Sequence, residues 1–228
     1  MRKIPIACEV ERVAGSLFVK ICGIVNLPDA ECAIDAGADA LGFIFYPKSS
    51  RFLDVEKASR LFRDLPKQIV KVGVFVDEPH DFLEQYIEEL SLDYVQLHGH
   101  ESPKYCSEVS AKVIKGLRIR NQNDIMSVGD YRVSFYLLDA FSEKEFGGTG
   151  KTFDWKIALE AKKVLTSPII LSGGLNPGNV AEAVKVVRPY GVDVSSGVEV
   201  SPGVKDHMKI REFVNKAKEA RQKSGEDN

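Results

Sequence analysis

An α/β fold, a single (β/α)8 barrel of the TIM type, is predicted for this chain by three observations. Short apolar runs alternate with helical runs in strict order, and eight such units can be counted. The length, 228 residues, suits one eight-unit barrel with a full core. The last third carries two strand ends that run into Ser and Gly: Leu171-Ser172-Gly173-Gly174 and Val192-Asp193-Val194-Ser195-Ser196-Gly197. Small residues after a strand leave backbone N–H groups open to an anion. Two such cups separated by one helix are what a parallel barrel needs to hold a phosphate after its seventh and eighth strands, whereas a lone Gly-Gly would be read as a turn.

Residues 1–16 show no clear period and are expected to form an extension ahead of the barrel, ordered against a neighbour if at all. Leu17-Phe18-Val19-Lys20-Ile21 is the first strand and ends at Cys22-Gly23. Asn26 then caps a helix with Pro28 in its first turn, and that helix closes near Ala36-Gly37. The unbroken apolar run 40–45 reads as a parallel strand covered on both faces, followed by a loop from Tyr46 to Phe52. The pattern then repeats: helix 55–65, strand 69–76, helix 81–90, strand 94–97, helix 103–110, strand 113–117, a weaker helix near 124–128, and strand 135–138 ending in Asp139. After a glycine-rich loop, 146–151, come helix 155–165, strand 169–171, helix 177–187, strand 192–194 and helix 205–221. Eight strands in this order close into a barrel more naturally than they leave an open doubly wound sheet, which is the alternative. The barrel is placed at 17–222 and the tail 223–228 is expected to fray.

Composition narrows the function. A net charge of −2 and a pI near 6.1 give no basic field for nucleic acid, so the partner is expected to be a small molecule. No apolar run approaches a membrane span, and Glu9 and Glu11 interrupt any signal-peptide core, so a cytoplasmic location is expected. Cys8, Cys22, Cys32 and Cys106 lack C-x-x-C spacing and His partners, which argues against a metal knot or a disulfide framework; reduced thiols are expected.

In a barrel of this kind the carboxyl ends of the strands share one face. That rule collects Cys22, Arg51, His98, Asp139, Asp193 and the two cups. Cys22 is either a small buried hydrophobe or a thiol base; Lys20, two residues earlier on the same side of the strand, can stabilise a thiolate. Cys32 and Cys106 fall inside helices and read as structural. Asp139 ends an apolar strand, where a carboxylate is costly unless used, and reads as a general acid or a cap. Arg51 is a solvated loop charge or a bidentate carboxylate clamp. His98 is a base, an orienting donor or a satisfied strand-end histidine. The loop Gly147-Gly148-Thr149-Gly150-Lys151-Thr152 has the last letters of a Walker A motif, but Glu145 stands where that motif requires its first Gly, so it reads as a mobile cover rather than a nucleotide site.

These blocks together resemble the phosphoribosylanthranilate isomerase family. They are Val19-Lys20-Ile21-Cys22-Gly23-Ile24, the run 42–51 ending in Ser50-Arg51, Val95-Gln96-Leu97-His98-Gly99, Leu138-Asp139 with the run 147–155, Leu171-Ser172-Gly173-Gly174-Leu175 and the run 192–199. The resemblance covers about 17–213 in the family's order. It implies an Amadori rearrangement in tryptophan biosynthesis without metal or cofactor: N-(5-phosphoribosyl)anthranilate becomes 1-(2-carboxyphenylamino)-1-deoxyribulose 5-phosphate. It further implies Asp139 as the acid that opens the ring and Cys22 as the base at sugar C2. Arg51 would hold the anthranilate carboxylate, Lys20, His98 and Asp193 would line the pocket, and Gly173, Gly174, Ser196 and Gly197 would hold the phosphate. A monomer or homodimer is expected. The rivals are an aminosugar-phosphate isomerase of the histidine-pathway type, for which a pair of aspartates is expected, and a non-catalytic phosphosugar-binding barrel, which has no use for both Cys22 and Asp139.

Overall fold

The computed structural model describes residues 16–119, 124–125, 128, 131–140 and 155–226. The expected extension and its Cys8, and the glycine-rich loop 146–151, lie outside the described residues. Eight parallel strands form a closed barrel: β1 (Phe18–Cys22), β2 (Ala40–Ile44), β3 (Val70–Phe75), β4 (Tyr94–Leu97), β5 (Lys112–Ile119), β6 (Phe135–Ala140), β7 (Ile169–Leu171) and β8 (Gly191–Val194). The open-sheet alternative is removed by the pairing of β1 with β8, where Phe18 sits opposite Gly191 and Lys20 opposite Asp193. Outside the barrel run α1 (Leu27–Asp35), α2 (Val55–Asp64), α3 (His80–Leu90), α4 (Pro103–Glu108), α5 (Trp155–Val164), α6 (Val180–Val187) and α7 (His207–Glu226). Of the helix expected near 124–128, Asp124 and Ile125 are helical and part of the remainder is outside the described residues.

The caps behave as the sequence predicts. Asn26 accepts from the Asp29 N–H at 2.9 Å ahead of Leu27 and Pro28, and Asp54 and Ser102 do the same for α2 and α4. Each such cap is worth about 1 kcal/mol.

Among the boundaries that differ from the expectation, three have a local cause. α6 starts at Val180 rather than Pro177, because Asn176 and Asn179 close a turn on themselves: Gly178 N–H donates to the Asn176 side chain and Asn176 N–H to the Asn179 side chain. Lys205 is not the start of the last helix. It belongs to a short antiparallel hairpin, β9 (Glu199–Ser201) and β10 (Val204–Lys205), turned at Pro202-Gly203, with Gly203 at φ +81°. The helix starts after Asp206, whose carboxylate accepts from the N–H groups of Met208 and Lys209. At its other end α7 runs on to Glu226, past Arg221, because Glu219-Ala220-Arg221-Gln222-Lys223 are all good helix formers.

The strand period of two divides the burial. Val19, Ile21, Leu41, Phe43, Val95, Leu97 and Leu138 face outward into the layer between sheet and helices. Inside the barrel, Phe18, Ala40, Val72, Ile114, Leu137 and Ile170 pack as a separate apolar floor, with Val70, Tyr94 and Phe135 below them. Above the floor the inward positions turn polar: Lys20 and Cys22 on β1, Gln96 then His98 on β4, Asp139 on β6, Ser172 after β7 and Asp193 on β8. The floor therefore sets the depth of the site. Leu137→Ala removes a fully buried part of that floor and should lower the unfolding free energy by about 2–5 kcal/mol; urea denaturation checks this, and an unchanged midpoint would show that the interior is not packed as described.

Candidate active site

The polar upper half of the barrel opens into a cleft of about 730 Å³, counting its mouth, lined by Cys22, Arg51, His98, Asp139, Asp193 and both Ser/Gly cups. Every strand-end residue selected from the sequence is thus brought to one cavity. Two glycines make the room. A Cβ on Gly42 of β2 would stand 2.7 Å from the Cys22 Sγ and 3.0 Å from the Lys20 Nζ, and one on Gly116 of β5 would run into the His98 ring. A side chain at either position would push the polar groups out of place.

Lys20 is completely buried and donates to Asp193 Oδ1 at 2.8 Å and to Gln96 Oε1 at 3.0 Å. Ser172 Oγ donates to the other Asp193 oxygen at 3.1 Å. Burial works against the Lys20 charge, but Asp193 and the neighbouring Cys22 sulfur more than offset it and hold the ammonium above its ordinary range. Cys22 shows the opposite balance. Burial pushes its thiol up, and the pull of Lys20 and Lys205 does not reverse this against Asp193. The expected aid from Lys20 is present, but in the empty site the thiol is the favoured form.

At the other side of the cleft, Gln96 Nε2 lies 2.9 Å from His98 Nδ1, and His98 Nε2 lies 3.3 Å from Asp139 Oδ2. The last contact is close enough to pair but is not aligned as a hydrogen bond, so the buried Nε2 has no hydrogen-bond partner among the described residues. The Ser195 hydroxyl, also lining the cleft, is in the same condition. An unmade bond to a buried polar group costs about 1–3 kcal/mol, and two of them facing one cavity mark where a polar ligand is received.

Arg51 is buried and already committed. Its Nε and Nη2 donate to the two oxygens of Glu199 at 2.8 and 2.6 Å. A guanidinium carries five N–H groups, so this pairing uses two of them and fixes the plane of the rest. Glu199 is held in turn by Lys205 Nζ at 2.8 Å, and Lys205 also donates to the carbonyls of Cys22 and Ser195. Burial holds Lys205 below its ordinary range despite Glu199; Glu199 itself, although burial opposes it, is kept low by Arg51 and Lys205.

The cups line the same cleft. Gly173 and Gly174 have φ of +79° and +70°, successive left-handed residues that turn both N–H groups to one side. Among the described residues neither N–H is donated to another group. Ser196–Val198 forms a single 3-10 turn, and a Cβ on Gly197 would run into the Leu175 carbonyl, so the two cups are packed against each other. Gln96, Glu199 and Lys205 were not singled out from the sequence, and Ser172 and Ser195 entered only as parts of the cups. Gln96 and Ser172 carried a usable signal, since each is polar at an inward position of a buried strand; the Glu199 and Lys205 pairings depend on the hairpin and had none. Cys32 and Cys106 are buried in α1 and α4, away from the cleft.

Because the Cys22 thiol is raised, its alkylation by iodoacetamide, followed on the Cys22 peptide by mass spectrometry, should show an inflection with pH above the small-thiol value of about 8.5. The same shift makes the buried thiol stabilising below the unfolded value, a contribution lost as pH rises through the folded one. An inflection at or below 8.5 would mean that Lys20 outweighs burial.

Comparison with known proteins agrees with this geometry. The model of the family described as N-(5'phosphoribosyl)anthranilate (PRA) isomerase matches residues 19–216. The N-(5'-phosphoribosyl)anthranilate isomerase of Geotalea uraniireducens is 54% identical over 200 residues, 88% of this chain and 98% of the relative. A crystal structure of phosphoribosyl anthranilate isomerase in complex with reduced 1-(o-carboxyphenylamino)-1-deoxyribulose 5-phosphate superposes with a TM-score of 0.81 at 42% identity, covering 89% of this chain and 99% of the other. Generated monomers of the dimeric isomerase from Thermotoga maritima give 0.80 at 42% identity, with the same coverage. With its barrel closed, its acid, thiol and anion cups gathered at one mouth, and the family model matched across nearly its whole length, the chain belongs to the N-(5'-phosphoribosyl)anthranilate isomerase family.

Proposed function

We propose that this chain isomerises N-(5-phosphoribosyl)anthranilate to 1-(2-carboxyphenylamino)-1-deoxyribulose 5-phosphate in tryptophan biosynthesis. The observation that carries the reading is a single cleft lined by a carboxyl group, a thiol, an arginine and two Ser/Gly cups. The substrate has the matching form: a phosphate at one end, a benzoate carboxylate at the other and a sugar between them. The backbone N–H groups of Gly173, Gly174, Ser196 and Gly197 take the phosphate, and Arg51, its plane fixed by Glu199, takes the carboxylate. Held at both ends, the sugar is oriented before any bond changes.

Asp139, protonated, gives its proton to the ring oxygen; the C1–O bond breaks and the nitrogen lone pair forms the Schiff base. The cationic imine makes the C2 hydrogen acidic, and Cys22 removes it, with the C–H electrons moving to form the enolamine. Proton return to C1 and loss from the C2 hydroxyl give the ketone, so atoms and electrons balance without a redox partner. Lys20 and the cationic imine both favour the thiolate at this step, which offsets the burial that keeps the thiol neutral in the empty site. Asp193, with Ser172, keeps Lys20 in place beneath the sulfur. The histidine-pathway alternative is expected to use an aspartate pair as acid and base, whereas here β1 ends in Cys22.

The remaining readings are also proposals. Residues 1–16 are an extension to a catalytic barrel at 17–222, with 223–228 as a tail; the assembly is a monomer or a homodimer, and a dimer is known for the Thermotoga maritima relative. A cytoplasmic location fits a small soluble substrate; no described helix is long and apolar enough to cross a membrane.

Freshly generated phosphoribosylanthranilate should be consumed by the wild type, read as loss of anthranilate fluorescence. Cys22→Ala and Asp139→Asn should each cut kcat by about 10²–10⁴-fold while still binding a reduced product analogue. No wild-type turnover above the spontaneous rate would remove the reading. Glu199→Gln should act differently, raising KM for the same substrate by roughly tenfold or more with a smaller change in kcat, because Arg51 loses the charge that fixes its plane. An unchanged KM would place the carboxylate elsewhere.

A further inference from the structure

Gln96 takes no part in the proton transfers assigned to Asp139 and Cys22. Gln96 is buried on β4 between Lys20 and His98. An ammonium has no lone pair to offer, so the Gln96 atom facing Lys20 Nζ at 3.0 Å must be the carbonyl oxygen. The amide group is thereby oriented, and its Nε2, a donor only, meets His98 Nδ1 at 2.9 Å. Nδ1 must then be the acceptor. A neutral imidazole with an accepting Nδ1 carries its hydrogen on Nε2, the nitrogen 3.3 Å from Asp139 Oδ2. The hydrogen that His98 presents to the Asp139 side of the cleft is therefore the one on Nε2.

We infer that Lys20, Gln96 and His98 form a one-way hydrogen-bond relay in which Gln96 is a positioning residue: it sets the His98 tautomer and so the N–H that His98 presents to Asp139. This rests on the isomerase reading for the identity of the acid, but not for the direction of the relay. The packing fits the role. The Gly116 backbone lies against the His98 ring, closely enough that a Cβ there would strike Nδ1, so the ring is held against β5. The relay also ties the two halves of the reaction together, because the ammonium that orients the amide is the one beside the Cys22 sulfur.

The test uses the full chain labelled with ring-¹⁵N histidine and long-range ¹H–¹⁵N spectra of the empty enzyme near pH 8, with His98→Gln identifying the His98 signals among four histidines. The wild type is expected to show an unprotonated, accepting Nδ1 and a protonated Nε2. In Gln96→Glu, whose second oxygen can only accept, the Nδ1 signal should become that of a protonated nitrogen, and kcat should fall by at least about tenfold with KM within about twofold. Gln96→Met, close in volume and without a donor, should lose the fixed tautomer and show the same split between kcat and KM. A wild-type ring protonated on Nδ1 overturns the relay, as does a Gln96→Glu enzyme that keeps the wild-type tautomer or the wild-type kcat. The two failures are distinguishable: absence of wild-type turnover overturns the isomerase reading and the catalytic half of this one, whereas the ring spectra judge the relay alone.

Discussion

The ion pair between Lys20 and Asp193 is the constraint on which the rest of the molecule depends. It lies where β1 meets β8, at the seam that turns a sheet into a barrel, and it is almost wholly out of water. Two opposite charges there are a risk to stability, since removing either one leaves the other buried and unpaired at a cost of about 3–5 kcal/mol. The molecule accepts that risk and surrounds the pair with further bonds from Ser172 and to Gln96. The result is a cation fixed at the centre of the barrel, from which the thiol on one side and the amide, imidazole and carboxyl group on the other take their orientation.

A second cluster, further out, repeats the device. Arg51 comes from the loop after β2, Glu199 and Lys205 from the hairpin after β8, and Lys205 closes the set by holding the carbonyl of Cys22. The two cations share the one carboxylate of Glu199, which leaves the cluster with a net positive charge facing the cleft. Functional charges in this barrel are held from behind by protein partners. At Cys22 burial outweighs the pull of the nearby cations and holds the thiol up.

Much of this was legible in the sequence for a simple physical reason. Parallel strands covered on both faces are short continuous apolar runs, and a polar residue that interrupts one, such as Lys20, Asp139 or Asp193, must have a use inside. The capping residues Asn26 and Asp54 are local signals and appear where expected. What was not legible depended on contacts between distant segments. Helical propensity alone did not place the start of α7, because Lys205 is drawn inward by Glu199 rather than outward by its own helix. Arg51 could be selected by position, yet its partner Glu199 could not, since the hairpin that brings Glu199 back was not foreseen. Gln96 had the parity of an inward residue, but its meaning lies in three other side chains.

The apolar floor formed by Phe18, Ile114, Leu137 and Ile170 has a further consequence. A barrel sealed from below has one doorway. Substrate must enter, and product must leave, through the same mouth between the strand-end loops, so the two cannot pass each other inside the molecule. Traffic is therefore strictly alternating, and every turnover includes a moment when the exit must be cleared before the next molecule is admitted.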